Sequence, residues 1–105
     1  MNSKKYYIDN NEIQVYTYTY ESCNSIEVTV GTNALTGDSG HGGRTYFSLK
    51  DCASTDMRIF DSERNKYVQT DEITIVLGGE TELDTFISSL EFAVKILKSQ
   101  RFLIR

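Results

Sequence analysis

Polar and apolar positions alternate through most of the first eighty residues, then recur every three to four. In the stretch Glu12 to Glu21, Ile13, Val15, Thr17 and Thr19 fall on one side of an extended chain, and Gln14, Tyr16, Tyr18 and Tyr20 on the other. This pattern predicts a strand. Lys5 to Asp9 reads as a shorter strand before it, joined by a turn at Asn10–Asn11, because Asn accepts a positive φ. Ser22 to Ser25 reads as a turn, and Ile26, Val28 and Val30 alternate with Glu27 and Thr29 in a third strand. Arg44 to Lys50 predicts a fourth strand with Phe47 and Leu49 facing inward. Met57 to Asp61 predicts a fifth, Ser62 to Lys66 a polar turn, and Tyr67 to Leu77 a last strand with Ile73, Ile75 and Leu77 on one face.

Beyond Gly78–Gly79 the period becomes helical. Leu83, Phe86, Ile87, Leu90, Ala93, Val94 and Leu97 form one apolar stripe. Thr81 followed by Asp84 has the spacing of a capping box, with Asp in place of Glu. Glu80, Glu82 and Asp84 stand at the positive end of the helix dipole, and Lys95, Lys98 and Arg101 at the negative end. The expected fold class is therefore α+β, an antiparallel β-meander of about five to six strands packed by one C-terminal amphipathic helix. Leu90 centres the stripe and is expected against the sheet.

One helix covers one face of a sheet. The expectation is that it covers the Ile13–Val15 side and leaves the tyrosine stripe on the other. With Phe92, Ile96 and the tail Phe102-Leu103-Ile104 also off the main stripe, a monomer would expose much apolar surface, and such surface marks partners. A homo-oligomer is expected.

At 105 residues there is room for one core, so residues 1–105 are expected to be a single domain. A 39% apolar and 11% aromatic content is enough to fill that core, which excludes a disordered chain. No run approaches the roughly 20 apolar residues of a membrane helix, and Met1 to Tyr7 has no apolar core of a secretory signal. The protein is expected in the cytoplasm, with Cys23 and Cys52 as free thiols. A net charge of −4 argues against a duplex nucleic acid partner, which needs a basic face.

The stretch from Gly31 to Arg44 is the one segment whose composition points to chemistry. Five of the seven glycines lie here, and so long a link between two strands is usually functional or disordered. Successive glycines let backbone N–H groups converge on an anion. Gly40, His41, Gly42 and Gly43 supply such groups, Arg44 supplies a fork for a phosphate or carboxylate, and Thr32, Asn33, Asp38, Ser39 and Tyr46 complete the candidate ligand-binding set. Lys98, Arg101 and Arg105 recur at helical spacing and are candidate contacts from a second subunit.

Three sharper readings fail on their own requirements. Gly-Asp-Ser-Gly-His resembles the nucleophile segment of trypsin-like proteases, which need about twice this length and separate His and Asp partners. A P-loop needs Gly-Lys-Ser/Thr opening a helix, whereas this loop has no lysine and leads into a strand. A zinc site is not expected from one His and two distant Cys. His41 with Asp38 could act as a general base, so a small hydrolase stays open as the lesser alternative to a non-catalytic protein without cofactor.

The segments Val28 to Leu49, with Val-Gly-Thr-Asn and Gly-Asp-Ser-Gly-His-Gly-Gly-Arg-Thr-Tyr-Phe, and Leu77-Gly-Gly-Glu with Phe86-Ile-Ser-Ser-Leu-Glu-Phe-Ala, resemble small proteins of phages and mobile elements. The layout is similar to phage anti-defence sponges of the Thoeris anti-defence type. That resemblance implies an oligomer in the host cytosol that sequesters a small phosphorylated signalling nucleotide. The alternative it leaves is a protein-binding inhibitor of a host defence enzyme, comparable to an anti-CRISPR protein.

Overall fold

A computed structural model describes residues 2–35 and 42–103, with side chains to residue 101. Seven strands precede one helix: β1 (Asn2–Ile8), β2 (Asn11–Glu21), β3 (Ser25–Thr32), β4 (Arg44–Ala53), β5 (Arg58–Asp61), β6 (Lys66–Gln69), β7 (Glu72–Gly78) and α1 (Gly79–Leu103). Five of them form one antiparallel sheet in the order β1-β2-β3-β4-β7, and β5 and β6 pair as a separate hairpin. The fold is α+β with a β-meander, as the periodicity predicts.

Two local expectations shift. The first turn is Asp9–Asn10, one residue earlier than expected. Both residues have positive φ, 48° and 66°, and Ile8 pairs with Asn11 across a two-residue loop. Two adjacent positive φ values are the requirement of a type I′ turn. The Asn11 side-chain amide donates to the Asp9 carbonyl, which helps to fix the register. The expected last strand divides at Thr70–Asp71. Val68 lies on an even position and Ile73, Ile75 and Leu77 on odd ones, so the alternation changes phase here. The Thr70 hydroxyl bonds both the N–H and the C=O of Glu72, which bends the chain.

The faces of the sheet are assigned differently from the expectation. Cross-strand pairing places Tyr16 beside Val30, Val30 beside Phe47 and Phe47 beside Ile75, so the tyrosine stripe shares its face with Phe47. It is Phe47 that meets the helix, in an edge-to-face contact with Phe86 at 5.4 Å between ring centroids. Helix α1 therefore stands on the tyrosine side. The opposite side carries the core: Ile13 and Val15 are buried with Tyr46, and Tyr6 and Ile8 pack against them. Helix α1 does not cover this side. The sheet curls around it, which brings β1 toward β4.

The curl requires Gly31. A Cβ there would overlap the Gln14 carbonyl oxygen and lie 2.8 Å from the Val15 Cα. Polar groups inside are paired: Thr17 and Thr29 hydroxyls meet at 2.9 Å, and the buried Ser48 hydroxyl donates to Glu72 at 3.2 Å.

The helix opens at a different cap from the one expected. Thr81 lies within its first turn, and the Gly78 N–H donates to the Glu82 carboxylate at 2.9 Å. Gly79 takes φ 82°, which a side chain would resist. Only Leu83 and Phe86 of the apolar stripe are half-buried. Ile87 and Leu90 are 43% and 38% exposed, and Val94 and Leu97 reach 50% and 66%. Leu90 is thus not in the core. The helix meets the sheet through its first two turns and leaves it thereafter.

Candidate functional site

The base of the glycine-rich link is a hydrogen-bonded frame. The Asn33 N–H donates to the Arg44 carbonyl at 3.1 Å, and the Asn33 side-chain oxygen accepts from the Arg44 N–H at 2.8 Å. The Asn33 amide nitrogen donates in turn to the Asn11 side chain and to the Glu12 carbonyl. One side chain thereby joins the ends of β3 and β4 to the start of β2. The Thr32 hydroxyl adds bonds to Thr45, to the Arg44 carbonyl and from the Ala34 N–H.

Gly43 is buried and packed against Ala34, whose Cα would lie 2.5 Å from any added Cβ. Its carbonyl accepts the Gly79 N–H at 2.9 Å, so the link is tied to the first residue of α1. Arg44 is largely enclosed. Its Nε donates to Asp9 at 3.0 Å, its side chain 20% exposed, and its Nη1 donates to the Gly43 carbonyl at 2.8 Å. The guanidinium holds the β1–β2 turn against the base of the link.

Of the expected ligand-binding residues, Thr32, Asn33, Gly42, Gly43 and Arg44 come together here. Asp38, Ser39, Gly40 and His41 lie outside the described residues, as does Arg105. Tyr46 contributes to the lining of the groove beside this frame, but it is 9% exposed and its ring packs at a tilt against Tyr6 in the concave core. Lys98 and Arg101 are exposed on the far half of α1. At 1.5 Å per residue, Lys98 is roughly 29 Å along the axis from Gly79, so it can serve a loop only in another copy.

Sequence reasoning missed the groove beside this frame. Val30, Thr32, Thr45 and Phe47 from the sheet and Leu83, Phe86, Ile87 and Leu90 from the helix line a space of about 220 Å³. The groove exists because α1 diverges from the sheet. Period-3.6 spacing identifies the apolar stripe but carries no information on that angle. The groove is apolar almost throughout; Thr32 and Thr45 line the end nearest the link, with their hydroxyls bonded to each other.

Two other features were candidates for chemistry. Cys23 and Cys52 are both free and exposed, near Asn24 and Ala53. Arg58 pairs with Asp56 through two contacts of 3.0 and 2.7 Å, and those hydrogen bonds hold the Asp56 carboxyl below its ordinary range. Among the described residues no group of three or more His, Cys, Asp or Glu is placed to hold a metal ion. Among them, too, no helix is long and apolar enough to cross a membrane.

No family model, curated protein or solved structure matches the chain.

Proposed function

We propose that the protein is a non-catalytic binder of a small phosphorylated ligand, a signalling nucleotide that it sequesters and does not turn over. The observation that carries this reading is the junction of two unlike surfaces. A polar frame at Thr32, Asn33, Gly43 and Arg44 adjoins an apolar groove between Phe47 and Phe86. A nucleotide has the matching division, with the flat aromatic faces of a base at one end and anionic oxygens at the other. In this reading the base enters the groove and the phosphate takes the Arg44 guanidinium in exchange for its bond to Asp9.

The test is uptake of nucleotides from a panel of cyclic and ADP-ribose-derived compounds, followed by heat denaturation. Ligand recovered intact supports sequestration. Recovered products would make the protein a hydrolase, and no uptake would remove the ligand. For a nucleotide that binds, Arg44→Ala weakens affinity about 10- to 100-fold, the equivalent of roughly 1.5–3 kcal/mol for a lost charge-assisted bond. Arg44→Lys recovers part of it, because an ammonium lacks the planar fork.

A second reading rests on the tyrosine stripe. Tyr16, Tyr18 and Tyr20 are about half exposed on the helix side of the sheet, with Tyr18 and Tyr20 in edge-to-face contact at 4.5 Å. Exposed tyrosines are favoured anchors in protein interfaces, which suits an inhibitor of a host enzyme. Uptake of a protein target that is abolished by Tyr18→Ala and unaffected by Arg44→Ala selects this reading.

A further inference from the structure

Leu83, Ile87, Leu90, Val94 and Leu97 are spaced by four, three, four and three residues. That is the heptad seam of a coiled coil, with Leu at one repeating position and β-branched Ile and Val at the other. A seam of this kind is ordinarily covered by another helix. Among the described residues it is covered only at Leu83, and Ile87, Leu90, Val94 and Leu97 are exposed along the length where α1 has left the sheet.

We propose that a second copy of the chain covers this seam, with the two α1 helices antiparallel about a two-fold axis. The charge distribution on the helix selects both partner and direction. Its first turns carry Glu80, Glu82 and Asp84, and its last turns carry Lys95, Lys98 and Arg101. A parallel pair would set like charges side by side at both ends. An antiparallel pair sets opposite charges together at both ends, with Glu91 beside its own copy at the centre, and is self-complementary, as a two-fold interface must be.

The seam fixes the register as well. In antiparallel coiled coils the two seam positions alternate across the interface. Leu90 then meets the partner's Val94, Ile87 meets the partner's Leu97, and Asp84 faces the partner's Lys98. The centre of the pairing falls near Glu91 and Phe92. A 25-residue helix is about 38 Å long and about 10 Å wide. Such a face supplies about half of the roughly 800 Å² per partner of a stable dimer, and the half-exposed sheet residues Val30 and Ile75 beside it add to that.

The arrangement has a further result for the groove. Ile87 and Leu90 form its open lip, so a partner helix lying on them roofs it. The same pairing carries the partner's Lys98 and Arg101 toward the N-terminal end of α1, where Gly79 is bonded to Gly43. The pairing itself does not depend on the proposed ligand and is tested without one.

Sedimentation equilibrium of the full chain gives twice the chain mass. Leu90→Glu weakens the dimer about 100-fold or more, while circular dichroism retains the strand signal. Asp84→Lys alone weakens the dimer, and Asp84→Lys with Lys98→Asp restores it, which a folding defect would not do. With Cys23→Ser and Cys52→Ser as background, Asp84→Cys combined with Lys98→Cys oxidises to a covalent dimer, and neither cysteine alone does. A monomer mass at all concentrations, a dimer indifferent to Leu90→Glu, or cross-linking of Asp84→Cys alone overturns the proposal.

Discussion

The rings of Tyr6 and Tyr46 lie 4.7 Å apart and are tilted by 57°, although β2 and β3 separate the strands that carry them. Neighbouring strands are about 4.8 Å apart, so in a flat sheet these residues would be roughly 14 Å from one another. Their contact therefore reports the curl that buries Ile13 and Val15. Tyr46→Ala is expected to destabilise the fold by about 3–5 kcal/mol, as for other large buried aromatics. A double-mutant cycle with Tyr6→Ala, read by urea unfolding, should give a coupling of about 0.5–1.5 kcal/mol. Additive effects would mean that the rings do not hold the curl.

The same contact has a pH dependence. The hydrogen bond to Tyr46, with the charge that Tyr46 would carry, keeps the Tyr6 phenol protonated above the ordinary tyrosine range. A folded-state pKa raised above the unfolded value contributes stability in full below the unfolded pKa, about 10. That contribution is lost as the pH rises through the folded value. The stability gap between wild type and Tyr6→Phe should hold at neutral pH and narrow above about pH 10. Denaturant titrations at several alkaline pH values measure it, and a gap that widens with pH would contradict the assignment.

Asn33 joins three strand ends through one amide. Asn33→Ala leaves the half-buried Arg44 N–H without its side-chain acceptor and removes both bonds to the β2 start. A cost of about 1–3 kcal/mol is expected. Faster hydrogen exchange at Arg44 and Glu12 than at Val15 would locate the loss at the frame.

Glu82 accepts the Gly78 N–H where the chain passes from β7 into α1. Removing an N-terminal cap of this kind typically costs about 0.5–2 kcal/mol. Glu82→Ala should lower stability within that range and Glu82→Gln should recover part of it, since the amide oxygen still accepts. Thermal unfolding measures both variants, and a Glu82→Gln no more stable than Glu82→Ala would mean that the charge near the helix dipole, not the bond, is what is lost.

The sequence carries the element types well and their assembly poorly. Strand and helix periods are local, and β2, β3, β4 and α1 lie where alternation and the 3.6 repeat put them. Alternation shows that Ile13 shares a face with Val15, and Tyr16 with Tyr18. It does not show which face meets the helix, because that depends on Phe47 pairing with Val30 far along the chain. The phase change between Val68 and Ile73 is visible in the residues and is the signal that the last strand divides. The Arg44–Asp9 pair, 35 residues apart, has no local signature, and neither does the angle at which α1 leaves the sheet.

The β5–β6 hairpin branches from the main sheet at a narrow neck. Lys50 pairs with Glu72, and the Asp51 N–H donates to the Asp71 carbonyl, so the chain leaves and returns within one strand spacing. Ala53 still pairs with Ser25 in the main sheet, and what lies between it and Asp71 is an arm with exposed aromatics, Phe60 and Tyr67; an isolated two-stranded unit is only marginally stable in water. The β4–β7 ladder is already closed beneath it. The arm is accordingly a place where the chain can be shortened to a tight turn, or enlarged by a whole inserted module, with the five-stranded sheet left in register.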